Sequence, residues 1–197
     1  MVKLPESMRI AVITWLILLL SASLAWADDW QLPQLMHLLA QKKTGKATFI
    51  EKKHLKIIDQ PVVSTGKLSF VAPGKLEKHT LTPKPESLVL NGSTLIIDRP
   101  GKQRMTVGLE EYPEVAAFIE SIRGTLAGDL ATLEKLYQIE LTGSASKWQL
   151  MLLPKQERMR SIFSSIRISG VHADLKTIDI EQRDGDRSEM TITPVAD

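Results

Sequence analysis

Ser87-Leu88-Val89-Leu90-Asn91-Gly92-Ser93-Thr94-Leu95-Ile96-Ile97-Asp98 is the stretch whose reading decides the fold. Two apolar, β-rich runs, Ser87–Leu90 and Thr94–Asp98, flank Asn91-Gly92. Asn-Gly accepts the positive φ that a tight hairpin turn requires, so the pair reads as antiparallel strands. Asp184-Gly185 plays the same part between Leu175–Gln182 and Arg187–Ile192.

Outward from these hairpins the pattern repeats. Ala47–Glu51, Leu68/Phe70, Lys75–Leu81, Gln103–Val107, Tyr137–Leu141, Trp148–Leu152 and Ile162–Ile168 are short, β-prone segments bounded by Gly, Pro or polar turns. Leu68/Phe70 and Trp148/Leu150/Leu152 alternate with polar or smaller residues, which puts large apolar groups on one sheet face. Helical spacing appears twice. Leu32, Leu35, Met36 and Leu39 make one stripe, on a helix that Asp28-Asp29 is expected to open and Gly45 to end. Val115, Phe118, Ile119, Ile122 and Leu126 make another, and Asp129 is placed to cap a third helix. The sequence shows no internal repeat and no low-complexity linker. The expectation is an α+β domain: a strongly curved antiparallel sheet of about ten strands, an unclosed β-barrel, with about three helices against its concave side as a lid.

The chain opens with Lys3 and Arg9, an apolar run Ile10–Leu20, and the small-residue ending Ala25-Trp26-Ala27. These are the parts of a secretory signal peptide, expected over residues 1–27 with cleavage after about Ala27. A retained anchor is the alternative, but Ile10–Ala27 falls short of the roughly 20 apolar residues a span needs. Residues 28–197 then form a single domain of 170 residues with a formal charge near neutral. No strong field points to nucleic acid. The chain has no cysteine, which excludes thiol catalysis, disulfides and a lipidated N-terminus. The expected location is the periplasm.

Catalytic chemistry finds no foothold. His37, His54, His79 and His172 lack metal-ligand spacing. Glu110-Glu111 are adjacent and point apart. Asp184-Gly185-Asp186 resembles part of a calcium loop but lacks its other oxygen ligands. No Gly-x-Ser-x-Gly elbow or phosphate loop occurs. The reading is no enzyme, no cofactor and no metal site; apolar surface is what the sequence supplies.

The order of these elements resembles the LolA-like family of periplasmic carriers of outer-membrane lipoproteins, from Trp30 to about Thr193. The likeness rests on Ala47-Thr48-Phe49-Ile50-Glu51, Gly66-Lys67-Leu68-Ser69-Phe70 with Pro73, Leu88–Leu95, Leu126-Ala127-Gly128-Asp129 and Trp148–Pro154. It implies an unclosed β-barrel with a helical lid, carrying acyl chains of a lipoprotein or other lipid between an inner-membrane donor and an outer-membrane acceptor, as a monomer. Two departures stand out. Family members have a basic residue before the proline, where this chain has Ala72, and aromatic residues after it, where this chain has Glu77, Lys78 and His79. They point to a divergent branch with different lid control and a different acylated or polyene-like cargo. The expected cavity residues are Leu68, Phe70, Leu76, Leu88, Leu90, Leu95, Ile97, Trp148, Leu150 and Leu152, with Phe118, Ile119 and Ile122 on the lid. A lipid-sensing regulatory module of the same fold, binding a protein partner, is the alternative.

Overall fold

A computed structural model describes residues 30–195; the expected signal peptide and Asp28-Asp29 lie outside them. Eleven antiparallel strands form one sheet: β1 (Thr44–His54), β2 (Val62–Val71), β3 (Lys75–Thr82), β4 (Glu86–Asn91), β5 (Thr94–Asp98), β6 (Met105–Gly108), β7 (Tyr137–Ser144), β8 (Lys147–Pro154), β9 (Phe163–Val171), β10 (Asp174–Gln182) and β11 (Arg187–Pro194). Their order is β6-β5-β4-β3-β2-β1-β11-β10-β9-β8-β7. The sheet is therefore two meanders joined where β1 pairs with β11. Its two ends, β6 and β7, remain edges.

Both hairpin signals close turns. Asn91 pairs with Thr94 across Gly92, whose φ is 59°. Gly185 turns β10 into β11 with φ 96°. Turn chemistry is local, which is why it reads directly from sequence.

Among the described residues four α-helices accompany the sheet: α1 (Leu32–Ala40), α2 (Pro113–Ala127), α3 (Leu130–Leu136) and α4 (Glu157–Arg160). The helix α1 ends at Ala40 with Gln41 as its C-cap, so Gly45 does not end it. Gly45 is the second residue of β1, opposite Phe70. The short helix α4 follows Pro154 and escapes periodicity because one turn has no repeat to detect. Asp129 caps α3 as expected, accepting from the Thr132 backbone N–H at 3.1 Å and its hydroxyl at 2.7 Å. Just before it Gly128 ends α2 in the left-handed region, φ 68°. A Cβ there would stand 2.2 Å from the Met36 carbonyl, so glycine lets α1 and α2 touch.

Burial alternates most clearly along β1, β7 and β8, and the inward positions form the concave face of the sheet. Over β7–β9 that face carries Tyr137, Trp148, Leu150, Leu152, Ile166 and Ile168, all at most 1% exposed. Leu35, Met36 and Leu39 of α1, Leu133 of α3 and Met159 of α4 complete this core. Trp148 lies over its register partner Gly170, where a Cβ would come within 2.3 Å of the ring. Its indole N–H donates to the His172 carbonyl at 2.8 Å. Each buried side chain of this size contributes about 1.5–3 kcal/mol. This half of the sheet is a dry, filled core.

Candidate functional site

The other half is not filled. The helices α2 and α3 lie in the connection from β6 to β7, and so cross from one free edge of the sheet to the other. The apolar stripe of α2 faces strands β1–β5 and β10–β11 across a cavity of about 690 Å³. That is within the roughly 300–1,000 Å³ of sites that enclose a small ligand. Leu39 at the end of α1 closes one side, and Val115, Phe118, Ile119, Ile122 and Leu126 form the roof. Phe118 stacks on Phe163 with ring centroids 5.3 Å apart.

Nine of the thirteen residues expected from sequence line this space: Leu68, Phe70, Leu76, Leu88, Leu90, Leu95, Phe118, Ile119 and Ile122. Trp148, Leu150 and Leu152 do not. They share the concave face but belong to the packed core, where α1 and α3 occupy the space above them. Ile97 is also absent from the lining. It shares a face with Leu95, yet it lies one pair further along β5, opposite Leu88 and Met105. Sequence reasoning missed Ala47, Ile178, Ile180, Met190 and Ile192, which line the cavity from β1, β10 and β11. Their strand parity relative to Phe49 and Trp148 was readable; the pairing of β1 with β11 was not.

The floor also carries charge. Glu51, on the same face as Ala47 and Phe49, is 4% exposed. It accepts from Lys78 Nζ at 2.6 Å, Ser188 Oγ at 2.9 Å and Ser64 Oγ at 3.3 Å. Lys53 Nζ stands 3.7 Å away, and the Lys78 ammonium lies 4.9 Å from the centre of the Phe49 ring. Burial alone would raise the Glu51 carboxyl. The charge and hydrogen bond of Lys78, with Lys53 and Ser188, outweigh it and hold the group below the ordinary carboxylate value. The signal was parity: Glu51 and Lys78 occupy apolar-face positions of their strands.

The alternate positions of β2 and β3 hold a second cluster. Glu77 accepts from Ser69 at 3.0 Å, contacts His79 at 3.2 Å and pairs with Lys75 at 2.7 Å. Hydrogen bonds from Lys75, His79 and Ser69 hold its carboxyl down to about 2. A depressed carboxylate stabilises the fold fully above its unfolded value of 4.5, and the contribution disappears as pH falls through about 2. The midpoint of urea unfolding is expected to fall over that window, and Glu77→Gln to flatten the fall.

The lid is fastened at two points. Tyr137 Oη donates to the Ala117 carbonyl at 2.8 Å, fixing α2 to β7. At the far end of α2, Arg123 donates to the Gly92 carbonyl at 2.9 Å, in the β4–β5 turn, while Glu120 holds its guanidinium. Arg123 thus supplies a basic contact from the lid to the sheet. Arg123→Ala is expected to speed release of a bound acyl probe several-fold with less than about 1 kcal/mol lost from stability, since the contact is a single partly exposed hydrogen bond. Stopped-flow displacement and thermal unfolding read the two effects.

Among the described residues no group of three or more His, Cys, Asp or Glu side chains converges as a metal site would require. None of their helices is long and apolar enough to cross a membrane. The site is a largely apolar enclosure with charged groups along its lining, the Glu51 cluster among them, and a clasped lid.

The chain is similar to known proteins. The chain is 27% identical over 173 residues to an outer-membrane lipoprotein carrier protein of Azotobacter vinelandii, covering 83% of this chain and 80% of that one. It is 25% identical over 184 residues to the same kind of protein from Pseudomonas fluorescens, covering 91% and 84%. Among solved structures, a LolA superfamily protein of Nitrosomonas europaea aligns with a TM-score of 0.45 at 9% identity, over 83% of this chain and 92% of that one. The family model described as outer membrane lipoprotein carrier protein LolA-like matches residues 24–196, the whole length over which the half-barrel, lid and cavity extend, and the chain belongs to that family.

Proposed function

We propose that the protein is a periplasmic carrier that hides the acyl part of a lipoprotein or lipid beneath α2 and delivers it towards the outer membrane. The observation behind this reading is the unfilled half of the concave face, an apolar cavity roofed by a helix that joins two free sheet edges. Each methylene moved from water into such a space gains about 0.8 kcal/mol. An acyl chain is therefore held strongly, and release needs a lid that can open. A lid whose open and closed states differ by a few kcal/mol meets that need. The chain's own residues supply binding and shielding, and no bond-breaking step. The carrier reading also makes residues 1–27 an export signal and the exported chain a freely diffusing shuttle.

Incubation of residues 28–197 with inner-membrane vesicles bearing labelled lipoprotein, followed by separation of vesicle and supernatant, tests this. Label moving into the supernatant with the protein is expected. Label staying with the vesicles under every donor condition, with no lipid copurifying from the periplasm, would overturn it.

A further inference from the structure

The carrier reading treats the cavity as apolar, yet its floor contains a built polar site. Glu51 is the centre of that site, and three of its roughly four acceptor positions are filled. Oε2 accepts from Lys78 and Ser64, while Oε1 accepts from Ser188 and faces Lys53. The donors are not used up. An ammonium has three N–H groups, and Lys78 commits one to Glu51 while lining the cavity. Lys53 also lines the cavity, and its side chain is half exposed. Around Glu51 two cations face one carboxylate, and the rest of the lining adds Lys42, Lys46 and Arg187 against Glu77 and Asp174, so cations outnumber carboxylates five to three. The free hydrogen-bonding groups are therefore donors on a positive field, next to the apolar wall of Leu68 and Leu88.

A ligand group placed here must accept hydrogen bonds, and negative charge favours it. A purely hydrocarbon end would leave the Lys78 donors unpaired in a low-dielectric pocket, which is unfavourable. We propose that Lys78 and Lys53, held in place by Glu51, Ser188 and Ser64, bind the anionic head group of a single-chain amphiphile whose tail lies beneath α2. This rests on the acyl-carrier reading and names the class of its ligand: a carboxylate- or phosphate-headed lipid. The two heads share one chemistry, an oxyanion accepting from ammonium groups.

Purified residues 28–197, in wild-type form, would be titrated with palmitate and methyl palmitate, and with lysophosphatidate and monoacylglycerol, each displacing a fluorescent acyl probe. At least one anionic ligand should bind about tenfold tighter than its neutral partner, as one charge-assisted hydrogen bond implies. The pair that shows the preference identifies the head as carboxylate or phosphate. The preference should shrink with added salt. It should fall to within about twofold in Lys53→Gln and in the Glu51→Leu/Lys78→Met double variant, which removes charge and partner together. Equal binding of anionic and neutral partners would overturn the head-group site while leaving acyl carriage intact. A preference that persists in both variants would overturn its location. Failure of all four ligands to displace the probe would overturn the carrier reading itself, and this proposal with it.

Discussion

Trp148→Ala is expected to lower stability by about 3–5 kcal/mol and to leave the acyl cavity in place. The indole is 1% exposed, covers Gly170 and donates to the His172 carbonyl. Truncation removes the largest fully buried side chain from a core in which α1 and α3 cannot collapse without moving the whole β7–β9 face. The hydrogen bond lost adds to the cavity term. Chemical denaturation measures the loss, and acyl-probe affinity in the remaining folded protein measures the separation of core from cavity. A Trp148→Ala protein with native stability and lost probe binding would place the ligand on β8, against the structure.

Lys78→Met carries the next largest expected effect. Removing the ammonium leaves Glu51 buried with Ser188, Ser64 and the more distant Lys53. Breaking a buried pair from one side costs roughly 3–5 kcal/mol, and Lys53 keeps this case near the lower figure. The sign with pH follows from the same physics. In the variant the burial that tends to raise the Glu51 carboxyl is no longer outweighed, so protonation relieves it. The deficit relative to wild type should be largest near neutral pH and shrink in acid. Glu51→Leu/Lys78→Met, which removes both charges, should recover most of the loss. Urea unfolding of the three variants across pH decides this. A single variant as stable as wild type at neutral pH would show that the pair is not buried as described.

The contrast between these sites explains what the sequence discloses. Hairpins at Asn91-Gly92 and Asp184-Gly185 depend on two or three adjacent residues and are legible. Leu88/Leu90 and Trp148/Leu150/Leu152 carry the same alternation, so both sets are legible as concave-face residues. Which set faces a cavity and which is plugged depends on where α1 and α3 settle, and periodicity has no term for that. The same long-range dependence hid Ile178 and Met190, which reach the cavity only because β11 returns to pair with β1. Gly45 as a helix end fails for a simpler reason. A glycine after a helix can equally begin a strand, and here it opens β1 opposite Phe70. Glu51 and Lys78 show parity at its most useful. Charges at apolar-face positions of two strands separated by 27 positions meet at 2.6 Å, a contact that neither strand announces alone.

Two polar features bound the cavity. Arg123 reaches from α2 to the Gly92 carbonyl, and Lys78 makes part of the floor polar.

The proposed function puts an acyl chain between α2 and strands β1–β5. Photo-crosslinking with a diazirine-bearing fatty acid, followed by peptide mapping, tests it most directly. Adducts are predicted on the segments containing Leu68, Leu88–Leu95 and Val115–Leu126, competed by unlabelled fatty acid. Adducts confined to Trp148–Leu152 or to the outer face of the sheet, or labelling that no competitor removes, would contradict it.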